Sequence, residues 1–344
     1  MVAVRKGLML AVVAALAACR IEITVPATGV VTTESGAYEC NQGATCSVEV
    51  ADTHFQETFT AQASDGHQFI GWKREKGRAM LCGGMTVPCG IRTDGFAGNE
   101  ILMSILNSDE LAYLEPVFIP EDHTRVFQPG DVIAYAGSLV LQRQDAPESV
   151  ADITVRREFS TSPYTYLDKQ LLKVRSVTAY VPGDYQEVVT TTVWQEENGA
   201  LFDYKDSYDN TYLTVSENEN GLASIPSPLV PTPATLTDFN TLYGGNTSGA
   251  VTRGTRSIYV EAAKTVAVPL GEFRAYKVIQ VDDYEYVFSF ADNKPGTSIR
   301  TEREMWVTAA KGIIKYREVH SEYASSGTLQ MRRILDLDAV RTNY

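Results

Sequence analysis

In Thr265-Val266-Ala267-Val268-Pro269-Leu270-Gly271-Glu272-Phe273-Arg274-Ala275-Tyr276-Lys277-Val278, apolar and polar side chains alternate on both sides of a short break. Alternation at a period of two predicts half-buried strands. One strand is expected over 257–268 and the next over 273–282. The same signature recurs on both sides. Upstream it marks 132–142, 153–160, 171–181, 187–194, 201–208 and 212–216. Downstream it marks 284–290, 298–308, 313–320 and 328–337. Turn signals fall between them at Pro182-Gly183-Asp184, Glu197-Asn198-Gly199, Asp282-Asp283, Asn293-Lys294-Pro295-Gly296 and Ser325-Ser326-Gly327. Successive strands joined by tight turns predict an antiparallel meander. Two departures are expected: a long loop rich in Pro, Ser and Asn from Glu217 to about Leu236, and one short helical turn over Thr237–Tyr243.

The region before Pro120 is built differently. Alternation of Ile21, Ile23 and Val25 with Arg20, Glu22 and Thr24 predicts a strand almost at once. Further short strands are expected at 30–33, 47–50, 57–62, 68–72, 101–106 and 112–118. Pro116, Pro120 and Glu121-Asp122 mark a boundary, and Phe127-Gln128-Pro129-Gly130-Asp131 opens the second domain. The expected organisation is a leader over 1–18, a small β module over 19–119 and a larger β domain over 120–344.

The leader reading rests on Arg5 and Lys6, the apolar run Leu8 to Leu16, and the closing Leu16-Ala17-Ala18-Cys19. A charged start, a short apolar segment and small residues at the cut make a secretory signal. With Cys19 at the cut, this resembles a bacterial lipoprotein signal, which implies a lipid on the Cys19 sulfur. The expected location is the bacterial cell envelope. Arg20 stands where enterobacterial lipoproteins kept at the inner membrane carry Asp, so the analogy points to the outer membrane. No later run is long and apolar enough to span a bilayer as a helix.

Within 20–119, a glycine-led strand is followed by a small Cys loop and by Phe59-Thr60-Ala61-Gln62-Ala63. Gly66-His67-Gln68-Phe69-Ile70-Gly71-Trp72, a second Cys pair and Leu114-Glu115-Pro116-Val117-Phe118 complete the pattern. This resembles the internalin-type B-repeat family, in its Cys-bearing form. The resemblance implies a compact β module and no chemistry. Gly66 suits a turn at positive φ, Phe69 and Trp72 suit a core, and Gly71 leaves room beside the indole. With Cys19 set aside, Cys40, Cys46, Cys82 and Cys89 remain. Four cysteines allow three connectivities. Cys40–Cys46 with Cys82–Cys89 is the simplest, each closing a small loop. A four-thiolate metal site is the alternative. The spacings exceed the usual ~2–4 residues, and an oxidising compartment favours disulfides.

The second domain carries another resemblance. Val266-Ala267-Val268-Pro269-Leu270-Gly271-Glu272-Phe273, then Glu304-Met305-Trp306-Val307, then Lys311-Gly312-Ile313-Ile314-Lys315 are similar to a broad set of bacterial envelope β domains. These resemble the curved antiparallel half-barrel of the lipoprotein-localisation carriers. Pro269, Gly271, Phe273, Trp306 and Gly312 are the motif core. The fold class expected is therefore all-β: a disulfide-stapled B-repeat-like module followed by a larger curved antiparallel sheet or half-barrel.

The chain of 344 residues has net charge −13, which argues against nucleic acid as a partner. No phosphate loop, nucleophile elbow or zinc-protease helix motif occurs. Glu318, His320 and Glu322 share one strand face and are a conceivable ligand set; a solvated face is the simpler reading. Asp203, Asp206, Asp209 and Asn210 offer oxygens for Ca²⁺, but their spacing is not that of an EF-hand. No cofactor and no catalysis are expected. The expected function is a lipid-anchored binding or interaction module whose ligand is a protein, lipid or glycan. The alternatives are a carrier or chaperone for an apolar ligand, and a glycan-binding or hydrolytic protein.

Overall fold

The computed structural model describes residues 19–344 apart from 76, 97, 109, 167–168, 182, 184–185, 197–198, 209–211, 217–221, 245–248 and 290–296. Side chains at 163–166, 169, 192, 194, 203–208, 212–216, 222, 232–233, 239–244, 249–252 and 287–289 also lie outside the description. So do the expected leader and the oxygen set of Asp203, Asp206, Asp209 and Asn210. The chain divides into two compact units, one ending at Phe118 and one running from Ile119 to Tyr344.

The first unit contains β1 (Cys19–Thr24), β2 (Gly29–Thr33), β3 (Glu39–Cys40), β4 (Thr45–Val50), β5 (Gln56–Ala63), β6 (His67–Trp72), β7 (Cys89–Arg92), α1 (Glu100–Leu106), β8 (Leu111–Leu114) and the first three residues of β9 (Pro116–Pro120). Three small sheets form, ordered β4-β1-β8, β3-β2-β5-β7 and β6-β9. Inward residues of β1, β2 and β5 build one core with Trp72 and Leu114; Phe59 and Leu114 are completely buried. Disulfides join Cys40 to Cys46 and Cys82 to Cys89, with Cα atoms 5.9 and 5.8 Å apart.

One expected strand, 101–106, is helix α1. Its apolar residues Ile101, Leu102, Ile105 and Leu106 recur at helical rather than strand spacing. Asn99 caps it, its side-chain oxygen accepting from the Leu102 N–H at 3.0 Å, and Glu100 sits in the first turn, where the helix dipole favours an acid.

The second unit is one thirteen-stranded antiparallel sheet. Its strands are β10 (Val132–Arg143), β11 (Ala146–Tyr166), β12 (Lys169–Val181), β13 (Gln186–Gln195), β14 (Leu201–Tyr208), β15 (Tyr212–Ser216), β16 (Leu222–Ile225), β17 (Thr232–Gly244), β18 (Gly249–Val268), β19 (Gly271–Ser289), β20 (Ser298–Thr308), β21 (Gly312–Tyr323) and β22 (Leu329–Thr342). Neighbours in sequence pair as hairpins, with two exceptions: β22 pairs with β10, and β15 pairs with β17 while β16 lies on β14. Because β13 also pairs with β14, the ladders that leave β10 through β11 return to it through β22.

Three expectations fail here. The helical turn at Thr237–Tyr243 is strand β17, laid against β18; its Thr and aromatic residues favour a pleated surface. The long loop is interrupted by β16 and ends at Thr232. Asp282-Asp283 is no turn, since β19 runs straight through it. A two-residue acidic step resembles a hairpin signal, but here Asp282 meets an arginine on the next strand.

Inward residues of β10, β11, β12, β18, β20, β21 and β22 form the larger core. The expected domain opening, Phe127 to Asp131, is a tight turn. Asp131 accepts hydrogen bonds from the Gln128 N–H at 3.0 Å and Arg125 Nη2 at 3.1 Å. The turn holds Phe127 stacked on Phe159, ring centres 4.0 Å apart.

Candidate ligand cavity in the second unit

The second unit forms a partly open cavity of about 270 Å³. Its wall comes from β10 to β14, β16 and β20 to β22, with Phe127 added from the segment before β10. These strands point every second residue inward, so a period-two pattern supplies the lining. Part of the wall is apolar: Phe127, Phe159, Leu201, Ile225, Met305 and Leu337. Ser176, Thr178, Thr191 and Ser224 add hydroxyls.

The rest of the wall is charged. Arg157, Arg303, Arg333 and Glu318 all face the cavity. Three guanidiniums against one carboxylate make this the reverse of the chain as a whole, whose net charge is −13. Arg303 donates to Glu318 through Nε at 2.9 Å and to Asp282 through Nη1 at 2.7 Å. Asp282 also receives Arg256 on both oxygens, at 2.6 and 2.8 Å, and Gln280 Nε2 at 3.0 Å. Tyr316 donates its hydroxyl to Glu318 at 2.6 Å. Two arginines and two carboxylates thus neutralise one another in a continuous network.

The carboxylates stay ionised in this network. Burial alone would raise Asp282, but the charges of Arg303 and Arg256 and their hydrogen bonds outweigh it and hold the carboxyl below its usual range. Glu318 behaves alike: burial opposes ionisation, and Arg303, the Tyr316 hydroxyl and Arg333 prevail. Tyr316 itself is pushed up, first by burial and then by Glu318.

Arg333 supports this balance only through its charge on Glu318, and Arg157 stands outside it. Arg333 lies 3.9 Å from Glu187, with both side chains about a third exposed, so water weakens that pair. Arg157 has no carboxylate partner among the described residues. Its guanidinium carbon lies 5.3 Å from the Tyr135 ring centre and 5.1 Å from that of Tyr316, and its buried Nε has no hydrogen-bond partner. Tyr135 is fixed by its own hydroxyl, which donates to the Ile313 carbonyl at 2.9 Å.

The residues singled out in the sequence lie elsewhere. Pro269 and Gly271 form the exposed β18–β19 turn, with Gly271 at φ +145°. Phe273 packs partly on the core, and Trp306 lies between Lys277 and Lys315, whose Nζ atoms are 5.2 and 5.8 Å from its ring centres. Gly312 backs onto Phe127. None of these lines the cavity. In the first unit Gly66 has φ +76°. Phe69 is half-buried and meets Trp72 edge-on at 5.4 Å; the indole N–H donates to the Val87 carbonyl at 3.0 Å. Gly71 has φ +137°, and a Cβ there would meet the Met85 carbonyl at 3.0 Å. Cys19 is unpaired and buried at the start of β1, its thiol pushed up by that burial and then by Glu110.

The Glu318, His320 and Glu322 set does not assemble. Glu318 is committed to Arg303 and Tyr316, while His320 meets Thr301 at 3.0 Å and Glu322 at 3.4 Å. Among the described residues no group of three or more His, Cys, Asp or Glu side chains is placed to hold a metal ion. Sequence reasoning missed Arg157, Arg256, Asp282 and Arg303. The available signal was a charged residue at an inward position of a strand that is otherwise apolar on that face.

No protein-family model matches the chain, and no curated protein matches it. Two solved structures are similar to it. One, from Bacteroides fragilis, is described as an exported protein with a YmcC-like fold; it is 12% identical with a TM-score of 0.31, over 64% of this chain and 99% of that one. The other, described as a lipoprotein from Parabacteroides distasonis, is 12% identical with a TM-score of 0.25, over 63% of this chain and 98% of that one. A likeness this slight assigns neither fold nor function. What defines the protein is its own architecture: an all-β chain with a small disulfide-linked N-terminal unit and a larger antiparallel sheet.

Proposed function

We propose that this chain is an exported, lipid-anchored envelope protein that binds a small ligand in the cavity of its second unit and does not transform it. The cavity carries this reading: a mixed apolar and polar lining with a few converging charged groups is what small-molecule sites offer. At about 270 Å³ it lies just below the range of roughly 300–1,000 Å³ typical of drug-sized ligands, so the ligand is small. The leader pattern and the two disulfides support export.

Binding is favoured over hydrolysis by the state of the acids. A glycosidase needs one carboxyl kept protonated as general acid. Asp282 and Glu318 are both held ionised by arginines and share Arg303. The carrier reading, suggested by the likeness of the motifs to lipoprotein-localisation half-barrels, is a second possibility with its own support: Phe127, Phe159, Leu201 and Leu337 offer an apolar bed for an acyl chain.

Anchorage would run through Cys19, with the B-repeat-like first unit as a stalk. A lipid on that sulfur requires Cys19 to leave the first-unit core. Metabolic labelling with a radiolabelled fatty acid tests the anchor: label in the wild type and none in Cys19→Ser is expected, and equal label in both would overturn it. Native mass spectrometry of gently extracted protein tests the cavity, with a bound small molecule expected and a bare chain counting against it.

A further inference from the structure

We infer that Arg157 is the docking point for the anionic head of a small amphiphile, a carboxylate or phosphate carrying an apolar chain; this rests on the cavity being a binding site.

The first ground is charge balance. Arg256 and Arg303 are matched by Asp282 and Glu318, but no described carboxylate pairs with Arg157. A buried lysine could shed its proton; a guanidinium stays charged. Two tyrosine rings at 5.1 and 5.3 Å compensate only part of that charge. A cation kept in a cavity without its counter-ion is a cost that a bound anion removes.

The second ground is the orphaned donor. The buried Nε of Arg157 donates to nothing; of the four buried side-chain polar atoms without a partner among the described residues, it alone belongs to a residue that lines the cavity. An incoming oxygen supplies the missing acceptor. Ser176, directly across from Arg157 on β12, lines the cavity too and offers a hydroxyl to a second oxygen.

The third ground is the lining beside it. Two residues further along β11 comes Phe159, stacked on Phe127, and Val155, Val174 and Leu335 also face the space. An inorganic anion would leave that surface uncovered; an apolar chain behind the charged group covers it.

Calorimetric titration of the full chain with decanoate, decyl phosphate and decanol tests this, together with the melting temperature of the unliganded protein. Expected is binding of at least one of the two anions, with decanol at least tenfold weaker; the tighter anion identifies the head group. In Arg157→Met, anion affinity should fall at least tenfold and decanol affinity stay within twofold. Without ligand the variant should melt higher by about 2 °C or more, because an uncompensated charge is gone. A lower melting temperature, or failure of the variant to fold, would make Arg157 a structural residue and overturn the inference. Equal binding of decanol and the anions, unchanged in the variant, would also overturn it while leaving the cavity a binding site. If none of the three binds wild type, both readings fall.

Discussion

Asp282 lies directly opposite Arg256 across the β18–β19 ladder, and the two share a two-pronged hydrogen bond at 2.6 and 2.8 Å. Both side chains are less than a tenth exposed. A buried pair of this kind is strongly destabilising to break, because the partner left behind keeps its charge. Asp282→Ala leaves Arg256 and Arg303 facing each other without their shared acceptor. It should cost about 3–5 kcal/mol in chemical denaturation of the full chain. A loss below about 1 kcal/mol would show that water replaces the carboxylate.

The carboxylates of the same network set a pH dependence. Asp282 and Glu318 both have folded pKa values below their ordinary 3.8 and 4.5. A depressed carboxyl binds fewer protons folded than unfolded. Its stabilisation is therefore complete above those ordinary values and is lost as pH falls through the lower, folded ones. The melting temperature should hold from pH 7 to about 5 and then fall steeply. Asp282→Asn should melt lower at pH 7 and show a shallower acid decline. An unchanged acid slope in the variant would contradict the assignment.

Gly312 combines two constraints. Its φ is +66°, and a Cβ there would meet the Phe127 ring at 2.5 Å. Gly312→Ala should therefore destabilise by about 1–3 kcal/mol from backbone strain, with the displaced ring adding to it. Gly327, also at positive φ but with open space around it, is the control: Gly327→Ala should cost about 1 kcal/mol. Equal losses at the two sites would remove the role of Phe127.

The disulfides close loops of six and seven residues' separation in a unit with a small core. Replacing Cys82 and Cys89 by Ser should cost about 2–3 kcal/mol in denaturant unfolding of the first unit. Thiol labelling without reductant should find no reactive thiol at Cys40, Cys46, Cys82 or Cys89. Labelling at any of them would contradict the pairing.

The strands were largely legible because alternation survives wherever one face is buried, as in Ile133, Tyr135 and Leu139 of β10. The helix at Glu100–Leu106 was missed because a run of only seven residues shows barely two turns of its helical spacing, and the cap at Asn99 is the stronger signal. The cavity was illegible for a different reason. Arg157, Arg303 and Glu318 come from β11, β20 and β21, and only the register of the ladders brings them to one space. Asp282 was misread as a turn because its partner Arg256 lies 26 residues earlier in the chain. The motif residues Gly271, Phe273, Trp306 and Gly312 were visible because turns and packing leave local signatures. They shape the sheet without lining the cavity.

Filling the cavity tests its role most directly. Ser176 faces it from β12, so Ser176→Phe should occupy the space from within. Native mass spectrometry of wild type and variant, both gently extracted and both shown folded by circular dichroism, should find a bound small molecule on the wild type and none on the variant. A bare wild-type chain, or the same adduct on both proteins, would contradict ligand binding in this cavity.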